Sequence, residues 1–151
     1  MRSTVHLAKR LLPDMVERGA GRVLFTSSVA STMPGPFQAV YNGSKSNVQS
    51  FAEALRTELK DTGVTVTSLM PGPTETRFFD RAQMQDTRLA AGHKDDPRTV
   101  AEQGFEALVR GDPTVTAGSP RNRVQTAMGK IVPDRLKSEG HRRLAEPGSA
   151  S

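Results

Sequence analysis

The stretch YNGSK, residues 41–45, admits three readings, and the fold follows from which one holds. Asn42-Gly43 is a favoured core for a two-residue hairpin turn. Asn42-Gly43-Ser44 matches the acceptor pattern for N-glycosylation of a secreted chain. Tyr41 and Lys45 lie four apart, so on a helix they share a face. The flanking residues decide. Tyr41, Lys45, Val48, Ala52, Leu55 and Leu59 step by three and four, Phe51 joins that side, and Gln49, Glu53, Arg56 and Lys60 take the other. That pattern predicts an amphipathic helix of about five turns. Gly43 costs the helix about 1 kcal/mol relative to alanine, which the packing of its apolar face outweighs. No alternating run flanks Asn42-Gly43, as a hairpin requires. The sequon lacks a secretory context and is expected to be unused.

Upstream, RVLFT (22–26) is a continuous apolar run with β-branched and aromatic residues, which predicts a buried strand. Val5, Ala8, Leu12, Met15 and Val16 recur before it at helical spacing, with a kink expected at Pro13 and a stop at Gly19-Ala20-Gly21. SSVASTMPGPFQ (27–38) reads as a loop. Downstream, DTG (61–63) ends the central helix, VTVTSLM (64–70) is a second strand, and PGPTET (71–76) leaves it abruptly. Residues 77–95 are polar and irregular, with a short helix expected near 78–84. Asp96 caps, and Pro97 opens, a helix to about Arg110 with Val100, Phe105, Leu108 and Val109 expected inward. TVTAG (114–118) is a third short strand. Strand, helix, strand, helix, strand predicts an α/β fold with a parallel sheet and right-handed crossovers. Residues 1–118 form that unit, and 119–151 form a basic helical tail with a frayed end.

The chain has 151 residues, enough for one domain with a sizeable core, and no cysteine. The latter excludes disulfides and thiolate metal sites, suits a reducing compartment, and makes a cytoplasmic location the expectation. No metal site is read from the sequence. No apolar run approaches the ~18 residues that span a membrane. Of the net charge of +5, most lies beyond Ser119, where seven Lys/Arg face three acids. No Phe, Tyr or Trp follows Phe105, so this tail has no stacking platform for bases, and it reads as a solvated face. Neither nucleic acid nor membrane is expected as a partner.

Ligands of open α/β sheets bind beyond the carboxyl ends of the strands. Three features gather there: Ser27-Ser28 after the first strand, Pro71-Gly72 after the second, and Tyr41 with Lys45 in the first turns of the helix between them. A lysine one turn from a tyrosine favours the phenolate, so Tyr41 can act as general acid/base on a substrate oxygen. Ser28 can hydrogen-bond the same oxygen, and Gly72 can let a flat ligand approach the backbone. Each feature alone is commonplace: a helical surface pair, a serine turn, a Pro-Gly turn. Their conjunction is specific.

The residues GRVLFTSSVAS, YNGSK and VTVTSLMPGPTET together resemble the C-terminal half of a short-chain dehydrogenase/reductase. That family carries a Ser, a Tyr-x-x-x-Lys thirteen residues on, and then Pro-Gly-x-x-x-Thr. Here Ser28, Tyr41, Lys45, Pro71, Gly72 and Thr76 match, and the spacing favours Ser28 over Ser27. The resemblance implies a partial Rossmann-like, doubly wound parallel sheet of three strands with flanking helices. It implies hydride transfer between NAD or NADP and an alcohol or carbonyl substrate, with Tyr41 as general acid/base. Lys45 would tune Tyr41 and bond the nicotinamide ribose, and Ser28 would orient the substrate oxygen. Tyr41, Lys45, Pro71, Gly72, Thr74 and Thr76 would line the nicotinamide. The helix over 41–60 resembles one used for homo-oligomer contacts.

The family's Thr-Gly-x-x-x-Gly-x-Gly phosphate turn is missing. The one Gly-x-Gly, Gly19-Ala20-Gly21, precedes a strand instead of following one. The residue that selects NAD or NADP belongs to the same missing half. The chain therefore reads as a truncated enzyme, weakly active or inactive alone. The alternative is a non-catalytic partial domain that associates with a complementary or full-length partner. Phe78, Phe79, Met84 and Leu89 offer an apolar lid that suits a lipophilic carbonyl, and His93 reads as a surface histidine.

Overall fold

The computed structural model describes residues 2–129 and 131–150. Its sheet has three parallel strands, β1 (Gly21–Thr26), β2 (Val64–Pro71) and β3 (Thr114–Ala117), in the order β1-β2-β3. Register runs from Gly21 opposite Val64 to Thr26 opposite Leu69, and from Ser68 opposite Thr114 to Pro71 opposite Ala117. The central strand is the most deeply covered. Its polar members are satisfied internally: the Thr67 hydroxyl donates to the Asp112 carbonyl at 2.8 Å, and Ser68 donates to Gln49 Oε1.

Helices cover both faces. On one, α1 (Arg2–Glu17) and α2 (Ala39–Glu58) bury Ala8, Leu12, Val48 and Ala52 against Phe25, Val64 and Val66, and Phe25 meets Phe51 edge-on. On the other, α5 (Pro97–Arg110) packs over Leu69, Ala117 and Val115. Asp96 caps α5, its carboxylate accepting the Thr99 N–H at 2.8 Å. The inward face of α5 differs from the one expected. Val100, Gly104 and Ala107 are buried, whereas Phe105 is 65% and Val109 49% exposed. The cause is close approach: a Cβ on Gly104 would stand 2.9 Å from Leu69, so the helix seats on its small residues and turns Phe105 outward.

The loop after β1 contains a 3-10 turn, Val29–Thr32. The segment after β2 holds two single-turn helices, α3 (Phe78–Arg81) and α4 (Arg88–Ala91). Beyond β3 come α6 (Pro120–Gly129) and α7 (Asp134–Ala145). Residues 148–150, within the segment expected to fray, are tied back. Gly148 N–H donates to Asp86 Oδ2, Ala150 N–H to the Asp86 carbonyl, and Arg88 N–H to Ser149 Oγ. No helix among the described residues is long and apolar enough to cross a membrane.

Candidate active site

YNGSK opens α2, so the helical reading of the stretch holds. Asn42 is 3% exposed, and its Nδ2 donates to the carbonyls of Ala30 and Met33 at 3.1 and 3.0 Å. Gly35 lies so close that a Cβ there would collide with the Asn42 amide. A glycan on this interior amide would displace the two bonds that anchor the loop.

Tyr41 and Lys45 share a face one turn apart, with Lys45 Nζ 5.9 Å from the centre of the Tyr41 ring. The phenol ring also packs on Phe78, with centroids 5.0 Å apart. Lys45 Nζ donates to the Thr26 carbonyl at the end of β1 at 3.0 Å. Partial burial of this ammonium pushes its pKa below the ordinary lysine value. The two serines after β1 have different partners. Ser27 is 2% exposed, and its hydroxyl donates to the Lys45 carbonyl, fixing α2 to the strand end. Ser28 Oγ accepts from Ala30 N–H at 3.1 Å, starting the 3-10 turn, and donates to the Pro71 carbonyl at a long 3.4 Å.

Past β2, the Thr74 hydroxyl donates to the Gly72 carbonyl at 3.0 Å and the Thr76 hydroxyl to the Thr74 carbonyl at 3.4 Å. Ser28, Tyr41, Lys45, Pro71, Gly72, Thr74 and Thr76 all line one cavity of about 720 Å³. Its apolar lining includes Phe78, Phe79 and Leu89, together with Val124, Val132 and Leu144 from beyond β3. Met84 is not among the lining residues; its sulfur lies 3.0 Å from Gln38 Nε2. His93 lines the rim, its side chain 66% exposed and 3.6 Å from Asp95.

Several lining residues carried no signal in the sequence. Asp95, Asn122, Lys137 and His141 come from 95 to 141, well outside the motif, and meet it only through the fold. His141 is 7% exposed; burial lowers its pKa, and its Nε2 has no hydrogen-bond partner. Lys137 donates to the Thr32 carbonyl at 3.2 Å and lies 2.6 Å from Asp134. Gly72 has a further reason that the sequence did not show: a Cβ there would run into the Asn122 amide, so the glycine makes room for Asn122 while it lines the cavity.

The donors and acceptors at Lys45, Tyr41 and Thr74 suit the hydroxyl-rich ribose end of a nicotinamide nucleotide. A pyrophosphate cradle, a glycine-rich turn leading from a strand into a helix, is not among the lining residues.

The short chain dehydrogenase family profile matches residues 1–87. The uncharacterized oxidoreductase YbbO of Escherichia coli K12 is 32% identical over 114 residues, 71% of this chain and 42% of that protein. Dehydrogenase/reductase SDR family member 7B of Rattus norvegicus is 39% identical over 110 residues, 69% of this chain and 34% of that protein. The chain thus spans well under half the length of these curated relatives. Among solved structures, a short-chain dehydrogenase from Sphingobium yanoikuyae in complex with NADPH superposes with a TM-score of 0.72 at 19% identity, over 87% of this chain and 51% of that one. A 3-oxoacyl-[acyl-carrier protein] reductase with bound NAD from Brucella melitensis gives a TM-score of 0.59 at 27% identity, over 75% and 45%. A family match covering 87 of 151 residues, on a three-stranded parallel sheet with helices on both faces, makes this chain a member of the short-chain dehydrogenase family.

Proposed function

We propose that the cavity is the reacting end of an NAD- or NADP-dependent oxidoreductase site acting on an alcohol or carbonyl, with Tyr41 as general acid/base. The observation that carries this reading is the single space lined by Ser28, Tyr41, Lys45 and the turn from Pro71 to Thr76. A nicotinamide cofactor, when bound against Tyr41, Lys45, Pro71, Gly72, Thr74 and Thr76, supplies or accepts the hydride. The Tyr41 hydroxyl gives its proton to the carbonyl oxygen in reduction and takes it back in oxidation. Lys45, held against β1 by the Thr26 carbonyl, keeps a positive charge beside the phenol and favours the phenolate. The Ser28 Oγ is held by the Ala30 N–H, but as a donor it makes only a long bond to the Pro71 carbonyl, so its proton can turn to the substrate oxygen at small cost. Phe78, Phe79 and Leu89 exclude water and suit a lipophilic carbonyl compound.

A second reading concerns what the chain needs for activity. β1 is an edge of the sheet. Beside it runs a trench of about 450 Å³ lined by α1, β1 and α2, with Leu7 and Leu11 more than half exposed. An unpaired edge next to apolar surface is a template for another strand. The chain alone is therefore expected to be weakly active and to associate with a complementary half of this family through that edge, or with its own copy through residues 41–60.

Both readings meet in one assay: NADPH oxidation with a panel of lipophilic ketones and aldehydes. The chain is tested alone and co-expressed with the N-terminal half of a relative. Activity is expected only in the pair, and Tyr41→Phe lowers it by about 10²–10⁴ while NADPH still binds. Full retention of activity in Tyr41→Phe overturns the first reading. A turnover of ordinary enzymatic size, roughly 1–10³ per second, from the chain alone overturns the second.

A further inference from the structure

We infer that Asp95, which lies outside every motif of the site, is the positioning residue of its second wall: it fastens the turn 71–76 to the start of α6. The inference rests on the proposed reading of the cavity, because the turn matters to the chemistry only if it faces the nicotinamide.

Asp95 joins three segments. Its main chain clamps the turn: Asp95 N–H donates to the Pro73 carbonyl at 2.8 Å, and Glu75 N–H donates to the Asp95 carbonyl at 3.0 Å, an isolated parallel bridge opposite Thr74. Its side chain clamps the exit from β3. Oδ1 accepts from Ser119 N–H at 2.9 Å, and Oδ2 accepts from Asn122 Nδ2 at 2.7 Å. Asn122 Nδ2 also donates to the Ala117 carbonyl at 2.9 Å. Both side chains are interior, Asp95 8% and Asn122 4% exposed.

A carboxylate in such a place is costly unless its oxygens are satisfied. Here a main-chain N–H and a side-chain amide converge on it, and charge-assisted bonds of this kind are about twice as strong as neutral ones. The surrounding glycines are cut to fit. A Cβ at Gly118, which sits at φ +94°, would run into the Asp95 carboxylate, and one at Gly72 would run into the Asn122 amide. The neighbouring acid has a separate duty: Asp96 caps α5 through Thr99. Asp95 is therefore not a helix cap. It is the knot through which the chain beyond β3 sets the position of Gly72 and Thr74.

The test uses the whole chain, labelled for NMR, with reduced nicotinamide mononucleotide as probe. Asp95→Asn keeps the size but replaces one acceptor oxygen by an amide donor, which must face either the Asn122 amide or the Ser119 N–H. It is expected to speed amide exchange at Glu75 and Ser119 by about tenfold and to weaken probe binding several-fold, with the Val66 amide in the sheet core unchanged. Asp96→Asn, at the exposed cap, should move neither the two amides nor the probe affinity. If Asp95→Asn does not fold, Asn122→Ser removes one of the two donors and should move the same amides in the same direction. Unchanged Glu75 and Ser119 exchange in the folded variants overturns the positioning role. Faster exchange in a chain that never binds the probe leaves the clamp standing and sinks the nicotinamide reading instead.

Discussion

The cavity has two walls that are held by contacts of very different range. The wall made by β1 and α2 carries Ser28, Tyr41 and Lys45, and the fastenings between its strand end and its helix are local: Ser27 reaches 18 residues to the Lys45 carbonyl, and Asn42 reaches 12 to Ala30, while Ser28 reaches across 43 residues to the Pro71 carbonyl only by a long bond. The opposite wall carries Gly72, Thr74 and the residues beyond β3. Its fastenings are long: Asp95 to Asn122 spans 27 residues, Gly148 to Asp86 spans 62, and Lys137 to Thr32 spans 105. The first wall stands wherever its strand–helix unit folds. The second exists only once the C-terminal segment has docked, so it is the wall that sequence change in the tail can reshape without touching Tyr41.

Substitutions can break this contrast in order of size. Phe25→Ala strikes the base of the local wall, where the ring is 7% exposed and packs edge-on against Phe51. Urea unfolding should show a loss of about 3–5 kcal/mol, and both walls should fail together. Gly118→Ala strikes the distant wall. It forces a side chain onto a left-handed backbone and into the Asp95 carboxylate, for an expected loss of about 2–4 kcal/mol. Ser119 amide exchange should rise in that variant more than exchange at Val23 in β1.

Smaller effects come from one basic side chain on each wall, the buried His141 and the partly buried Lys45, and their pH dependence sharpens the comparison. Burial lowers the pKa of His141, so the unfolded chain binds its proton more readily than the folded chain. Stability from this group is full above the unfolded value of 6.5 and falls as pH drops through the folded value; His141→Gln should remove that slope. Lys45 is also lowered by burial, from 10.5, so its ammonium opposes folding at neutral pH. Between the folded value and 10.5 the unfolded chain holds the extra proton, and stability should rise with pH. Urea midpoints of wild type and Lys45→Met, compared at neutral and alkaline pH, should converge or cross in that direction. The smallest effect is predicted at Phe105→Ser: this residue is 65% exposed, and the change in stability should stay within about 0.5 kcal/mol.

The local wall was readable because its information is periodic. Steps of three and four from Tyr41 to Leu59 outweigh one glycine and identify the helix, and the apolar run 22–26 identifies the strand that feeds it. The distant wall was not. Nothing in a window around Asp95 says that it meets Asn122, and two adjacent acids look alike until one caps α5 and the other turns inward. Gly72 was legible as a turn residue, but the room it makes for Asn122 was not, because that partner lies fifty residues away. Phe105 misled because hydrophobic spacing marks the apolar side of α5, whereas the close approach at Gly104 decides which side faces the sheet.

Tyr41 is the sole tyrosine, so a chain labelled on tyrosine rings gives one set of signals. The most direct test of the proposed site is to titrate that chain with reduced nicotinamide mononucleotide and follow the ring. The Tyr41 signals should shift saturably, and the shift should vanish in Lys45→Met. Tyr41 signals that stay fixed while the probe is raised to saturation, or that shift equally without Lys45, would contradict a nicotinamide site built on this pair.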